Sequence, residues 1–206
     1  MGLTPRPHDL LRLRAGAVPD AALPGWASAS LAACPWAVVR RAPHPPGLIP
    51  VGVRGPRRRQ RHAALVPDAA VLRRVPPEQL DRRGRPWLSD ALAATLSAVE
   101  LRLSAEVGDG VTWGPIGGVG FELATGHPVT HRDSDVDLLI RTPHRMPPDL
   151  AARLLAAFGT LPRPVDCQLE TPRGGVSLAE WARTGGPVMA RTWHGPELVD
   201  DPWTPA

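Results

Sequence analysis

Apolar and polar positions divide this chain into two textures. Up to about residue 84 the apolar runs are short and separated by Arg- and Pro-rich stretches. Trp36-Ala37-Val38-Val39-Arg40 predicts one strand and Leu48 to Arg54 another, with Pro43-His44-Pro45-Pro46-Gly47 turning between them. The basic stretch Arg57-Arg58-Arg59-Gln60-Arg61-His62 then leads into Ala63-Ala64-Leu65-Val66, and Pro76 to Pro86 reads as a hinge. Beyond it, Leu88, Leu92, Leu96, Val99 and Leu103 recur at steps of three and four, which predicts a long amphipathic helix. Ser89 or Asp90 caps its start, and Gly108 and Gly110 end it. Val111 to Trp113 and Val119 to Ala124 read as strands, Thr125-Gly126-His127-Pro128 as a turn, and Val136 to Arg141 as a strongly apolar strand. Asp149 is expected to cap a helix through Phe158, with Leu150, Leu154, Leu155 and Phe158 on one face. A strand over Pro164 to Glu170, a Ser177-capped helix containing Trp181 and a strand over Pro187 to Thr192 complete the pattern before an irregular tail.

Strands and helices interleave here without a regular βαβ count, so the expected class is α+β. The expected division is a smaller N-terminal α/β domain over residues 1–84 and a mixed-sheet catalytic domain over 85–206. No G-x-G-x-x-G opens a helix and no Walker sequence is present, which removes the main support for dinucleotide folds and P-loop chemistry. A hydrophobic fraction of 43% suffices for a core. All 24 basic residues are Arg, and Tyr is absent, so Schiff-base lysine, P-loop lysine and tyrosine acid–base chemistry are not available. A net charge of +4 suits an anionic ligand or an acidic partner, but with 20 carboxylates interspersed a nucleic acid is not expected. Cys34 and Cys167 lie far apart without metal spacing and read as reduced cytoplasmic thiols. No apolar run approaches the ~18 residues that span a bilayer, so no membrane association is expected.

The candidate chemistry centres on Asp133-Ser134-Asp135-Val136-Asp137-Leu138-Leu139-Ile140. Asp135 and Asp137 stand two apart at the entrance to an apolar strand, where side-chain alternation puts both carboxylates on one face. Two acids that close repel each other, and a divalent cation between them resolves the repulsion. Hard oxygen ligands select Mg²⁺, which completes its shell with water and substrate phosphates. Asp166, on a separate strand, is the candidate third acid, with Glu170 of the same parity competing. Such a set clamps attacking and leaving oxygens in phosphoryl displacement; a surface acidic loop holding calcium is the bland alternative. Gly117 and Gly118 allow backbone N–H groups to approach a phosphate without Cβ interference, where a tight hairpin turn is the alternative. Arg54 and Arg61 are the chosen phosphate- or carrier-binding residues of the basic stretch. His127 and His131 lie near the acidic strand as possible substrate contacts. Trp36, Trp87, Trp113, Trp181 and Trp193 read as core or rim, one of them a candidate for stacking on adenine.

Gly117-Gly118, then Asp135-Val136-Asp137-Leu138, then a later strand Asp resembles the polymerase-β type of nucleotidyltransferase. A wider set of motifs resembles one member family. These are His8-Asp9-Leu10-Leu11, Pro35 to Ala42, Ile49 to Gly55, Trp113-Gly114-Pro115, Val119 to Gly126, Ser134 to Leu139 and Leu169 to Val176. That family is the malonate decarboxylase holo-acyl-carrier-protein synthases, or phosphoribosyl-dephospho-coenzyme A transferases, and the resemblance covers nearly the whole chain. It implies a nucleotidyltransferase-like C-terminal domain. It also implies transfer of the 2′-(5″-phosphoribosyl)-3′-dephospho-coenzyme A group from its 5″-triphosphate donor, 2′-(5″-triphosphoribosyl)-3′-dephospho-coenzyme A, with release of diphosphate. The acceptor it implies is a serine of the apo acyl carrier subunit of malonate decarboxylase. The catalytic aspartates of the family's pattern fall on Asp135 and Asp137, with Ser134 beside them as a substrate contact. One departure is the long separation from Gly118 to Asp135, with an expected strand over Val119 to Ala124 where relatives of the superfamily carry a helix. Two other readings stand beside this one: a transferase using a simple nucleoside triphosphate, and a non-enzymatic Arg-rich module binding carrier or RNA.

Overall fold

Leu11 and Leu13 point inward from a short strand that the hydrophobic pattern does not announce, and around them the first part of the chain is built. The structure, a computed structural model, describes residues 4–19, 22–57, 59–81 and 88–204. It divides into two units, Met1–Pro77 and Glu78–Ala206. The boundary therefore falls ahead of the expected residue 84. Glu78 belongs with the second unit through its ion pair to Arg141 at 3.2 Å.

In the first unit β1 (Leu10–Leu13), β2 (Trp36–Val39), β3 (Leu48–Arg54), β4 (Arg61–Pro67) and β5 (Val71–Val75) form an antiparallel sheet ordered β4-β3-β2-β1-β5. The expected α/β domain is thus an antiparallel sheet with one helix, α1 (Gly25–Ala33), packed on β3. Leu11, Leu13, Val39, Ile49, Val51 and Val66 make its core. Asp9 is fully buried, and its Oδ2 accepts from Arg74 Nε at 2.6 Å and from the Arg6 N–H at 2.7 Å. That charged pair ties β1 to β5 and explains the acid of the His8-Asp9-Leu10-Leu11 motif by structure.

The second unit contains α2 (Asp90–Val107), β6 (Trp113–Pro115), α3 (Gly117–Thr125), β7 (Val136–Arg141), α4 (Pro148–Phe158) and β8 (Val165–Thr171). It continues with β9 (Gly174–Ser177), α5 (Leu178–Thr184), β10 (Val188–Thr192) and β11 (Gly195–Val199). Its sheet runs β11-β10-β9-β8-β7-β6, antiparallel throughout except for the parallel pair β7 and β8. The mixed sheet and α+β class match the expectation. The long helix also follows its periodicity: Leu92, Leu96, Val99 and Leu103 are buried, Ser89 caps the Leu92 N–H, and Gly108 closes the end at φ 99°. Ser177 likewise caps α5 through the Glu180 N–H.

Three expectations are corrected. Val119 to Ala124 is not a strand but the body of α3. Val119 through Leu123 are all buried, so the run shows no period by which helix and strand can be told apart. Gly120 lets the helix lie against β6, since a Cβ there would meet the Pro115 carbonyl carbon at 3.0 Å. Asp149 does not cap α4: Pro147 is the N-cap and Pro148 the first helical residue, with Asp149 in the first turn. The buried face of α4 is Ala151, Leu154 and Phe158, with Leu155 37% exposed. The tail is not irregular, because Gly195–Val199 pairs with β10 as an edge hairpin.

Helices α2, α4 and α5 form a layer, with α5 packed on β8, β9 and β10. On the sheet face beneath it, Leu138, Ile140, Leu169, Val176, Val188 and Ala190 are buried. Trp181 is fully buried and donates to the Met146 carbonyl at 3.0 Å, and Trp203 crosses it edge-on at 4.9 Å. No helix among the described residues is long and apolar enough to cross a membrane.

Cys167 lies on the buried face of β8, where desolvation, reinforced by the neighbouring Asp166 charge, pushes its thiol well above the ordinary range. Cys34 is half-buried. In native protein Ellman's reagent is expected to titrate Cys34, with Cys167 slower by on the order of 100-fold until the chain unfolds. Rapid modification of both thiols in the native state would contradict this placement.

Candidate active site

Strand β7 alternates strictly at its entrance. Val136 and Leu138 enter the closed, apolar face, so Asp137 between them must point the other way. There it meets the start of α3. Gly117 has φ 60°, a conformation that side chains rarely adopt, and a Cβ on it would overlap the Asp137 carboxylate, lying 2.8 Å from Cγ. The Ile116 N–H donates to the Asp137 carbonyl at 2.8 Å, which fixes this approach from the backbone as well. The first-turn N–H groups of a helix have no acceptor within it. Those of Gly117 and Gly118 therefore open the helix beside an acid, with Gly117 exposed to solvent. The glycine loop is thus a strand-to-helix turn, not a hairpin.

Asp135 immediately precedes β7 and is half-buried, like Asp137. The loop that delivers it is held at both ends. Glu122 of α3, 1% exposed, accepts from the Val129 and Thr130 N–H groups at 2.9 and 2.8 Å. Ser134 Oγ accepts from the His131 N–H at 2.9 Å, and the Ser134 N–H donates to the His131 carbonyl. Arg163 Nε donates to the Ser134 carbonyl at 3.0 Å, and the Arg163 N–H donates to the hydroxyl of buried Thr95 at 3.1 Å. Ser134 therefore shapes the loop rather than simply lining a pocket. His131 Nδ1 accepts from the Asp133 N–H, which makes it a turn residue, and His127 is exposed after α3.

Parallel pairing sets the third acid. Asp166 stands in register with Asp137, Gln168 with Leu139 and Glu170 with Arg141, so all of these project from the face opposite the helical layer. Asp166 is exposed, and Glu170 lies two rows away, which makes Asp166 the neighbour of the pair. Among the described residues no group of three or more His, Cys, Asp or Glu side chains is arranged to hold an ion by itself. Asp135 and Asp137 supply hard oxygen donors at the exposed edge of a rigid strand, a donor set that fits Mg²⁺ completed by water and phosphate.

Arg54 and Arg61 are cross-strand partners at one end of the β3–β4 hairpin in the first unit, with Arg61 exposed. The structure brings these two together with each other and not, within one unit, with the acids. Arg58 and Trp87 lie outside the described residues. Trp36, Trp113 and Trp181 are core, while Trp193 is 41% exposed. Glu122, Arg163, Gln168 and Arg191 were not singled out by sequence. The signal for Glu122 was a lone acid in an apolar run ended by Gly126, a helix C-cap at φ 70°.

The chain matches two family descriptions in succession: the phosphoribosyl-dephospho-CoA transferase MdcG N-terminal domain over residues 6–77 and its C-terminal domain over 79–202. It is 46% identical over 199 residues to a phosphoribosyl-dephospho-CoA transferase of Pseudomonas aeruginosa, covering 97% of this chain and 94% of that one. A protein of the same name from Azotobacter vinelandii is 46% identical over 202 residues, covering 98% and 95%. One from Pseudomonas putida is 43% identical over 202 residues, covering 97% and 95%. No solved structure matches the chain significantly.

Gly117 and Gly126 both have positive φ, but only at Gly117 does a Cβ also meet a neighbour. Gly126→Ala is expected to cost about 1 kcal/mol and Gly117→Ala about 1–2 kcal/mol more, measured by urea unfolding. Equal losses at the two positions would show that Asp137 does not pack on Gly117.

Proposed function

This chain belongs to the phosphoribosyl-dephospho-CoA transferase family, and we propose on that premise that Asp135, Asp137 and Asp166 carry its reaction. The protein is an enzyme that transfers the phosphoribosyl-dephospho-CoA group. The observation that carries the site assignment is the approach of Asp137 to Gly117, beside Asp135 at the open edge of β7. It joins two acids to exposed helix-start amides, a pairing that suits a phosphate chain. The donor is the 2′-(5″-triphosphoribosyl)-3′-dephospho-coenzyme A, and the acceptor is a serine of the apo acyl carrier subunit of malonate decarboxylase.

The serine oxygen attacks the α-phosphorus in line with the departing diphosphate. A new P–O bond to serine forms as the bond from the α-phosphorus to the bridging oxygen breaks, and diphosphate leaves with that electron pair. Asp135 and Asp137 would hold Mg²⁺, which supplies charge neutralisation on the triphosphate when bound. Asp166 accepts the serine proton, a role supported by its exposure and its register with Asp137. The N–H groups of Gly117 and Gly118 face the phosphate chain. Glu122 and Arg163 hold the loop so that Asp135 arrives with its carboxylate oriented before substrate binds. Arg54 and Arg61 of the first unit form a cationic pair that suits an anionic group or an acidic carrier surface. The reaction belongs to the cytoplasm, where Cys34 and Cys167 persist as thiols.

Apo carrier subunit incubated with the protein, Mg²⁺ and donor is expected to gain the mass of the phosphoribosyl-dephospho-CoA group, and to gain none from ATP. Labelling from ATP alone would replace the donor assignment with a simple nucleoside triphosphate. Asp135→Asn and Asp137→Asn are each expected to lower transfer by on the order of 10³-fold or more while leaving the circular dichroism spectrum unchanged. Normal turnover by either variant would remove the two acids from the mechanism.

A further inference from the structure

The second unit's sheet has one closed face and a more open one of uneven exposure, on which Leu139 and Gln168 are buried while Asp166, Arg191, Met189 and Leu198 are exposed. Register places Asp137, Asp166, Gln168 and Arg191 on that open face. Gln168 is 7% exposed, and its Oε1 accepts from Arg191 Nη1 at 3.0 Å. The guanidinium is thus anchored at one nitrogen, while the residue is exposed. An anchored arginine loses less rotamer freedom on meeting an anion than a mobile one does. Immediately along β10 and across to β11, Met189 pairs with Leu198 on the same face, 43% and 63% exposed. On the opposite face their neighbours Val188, Ala190 and Val199 are buried, so among the described residues this apolar pair is exposed on the side away from the core.

From the acids, the open face therefore presents carboxylates, then one anchored cation, then an apolar pair. The donor has the matching order: a reacting phosphate chain, a second anionic diphosphate, then the long pantetheine arm. We propose that the donor lies across the open face of this sheet, with Arg191 on the diphosphate of its dephospho-CoA portion and Met189 and Leu198 under the pantetheine arm. Three inter-strand steps, about 14 Å, and four residues along the strands, about 13 Å, put the Asp137 and Arg191 backbones roughly 19 Å apart, a span that the two sugars between the donor's anionic groups cover together with the reach of the two side chains. Gln168 is a positioning residue for Arg191. Arg191 stands between Gln168, which also donates to Glu170 at 3.5 Å, and the apolar Met189 and Leu198, a single cation at a boundary rather than the cluster that would dock an acidic carrier. This assignment rests on the proposed reaction for the donor's identity, but it predicts binding that does not require the acids.

Isothermal titration of full-length protein with dephospho-CoA and with ADP, neither carrying the reacting triphosphate, tests it directly. Arg191→Gln is expected to weaken both ligands by at least about tenfold, the effect of one charge-assisted contact. Arg191→Lys is expected to recover part of that loss. Leu198→Asp is expected to weaken dephospho-CoA and not ADP, because only the former carries the arm. In the transfer assay Arg191→Gln should raise KM for the donor by a similar factor, with kcat within about twofold of the parent. Asp137→Asn should bind dephospho-CoA normally while failing to transfer. If Arg191→Gln binds both ligands like the parent, or raises KM for the carrier and not the donor, the proposal is overturned whatever the aspartate variants do. Equal losses of ADP and dephospho-CoA in Leu198→Asp would overturn the placement of the arm. Turnover by Asp137→Asn would instead remove the proposed acids and leave the Arg191 result standing.

Discussion

The approach of the Asp137 carboxylate to the backbone of Gly117 is the contact on which the second unit's candidate site depends. Asp137 reaches it because Val136 and Leu138 commit the alternate positions of β7 to the closed face. Gly117 permits it because any side chain at that φ would be strained and would strike the acid. The same strand pairs in parallel with β8, which puts Asp166 beside Asp137. A parallel pair requires a crossover, and the chain supplies α4 for it. Acids, glycines and crossover are thus one arrangement, and moving any of them displaces the others.

The sheet's two faces divide the work of the unit. The closed face carries the apolar core under α2, α4 and α5, including Trp181 and the high-pKa thiol of Cys167. The open face carries Asp137, Asp166, Gln168, Glu170 and Arg191 in consecutive rows. Alternation along β8 is enough to place a core thiol at Cys167 and a solvent-facing acid at Asp166 one residue apart. Two further charged residues are tied into the fold: Glu122 is buried under a loop, and Arg141, on the same face as Asp137, is paired with Glu78 at 3.2 Å.

Where one physical signal dominated, sequence was sufficient. Leucines at helical spacing between Ser89 and Gly108 specify α2, and an uninterrupted apolar run behind two acids specifies β7. The run Val119 to Ala124 was illegible because Val119 through Leu123 are all buried, and its true marker, Gly126 at the helix end, reads equally well as a turn. Short strands such as Leu10–Leu13 and Gly174–Ser177 are defined by partners remote in sequence, and nothing local announces them. Asp135 and Asp137 could be chosen from their spacing and setting. Gln168 and Arg191 could not, because they meet only once β8, β9 and β10 are placed side by side. The identity of donor and carrier came from family resemblance, and the family match over both units is what shows the transfer reaction.

The central claim is that Asp135 and Asp137 receive the donor's phosphate chain with its cation at the edge of β7. It is tested most directly by a crystal structure of the protein with Mn²⁺ and a non-hydrolysable analogue of the triphosphate donor, recorded at the manganese edge. The account predicts an anomalous peak coordinated by both carboxylates and by phosphate oxygens, with the phosphate chain against Gly117 and Gly118. A bound analogue with no manganese at these two acids, or with its phosphates directed away from the start of α3, would contradict it.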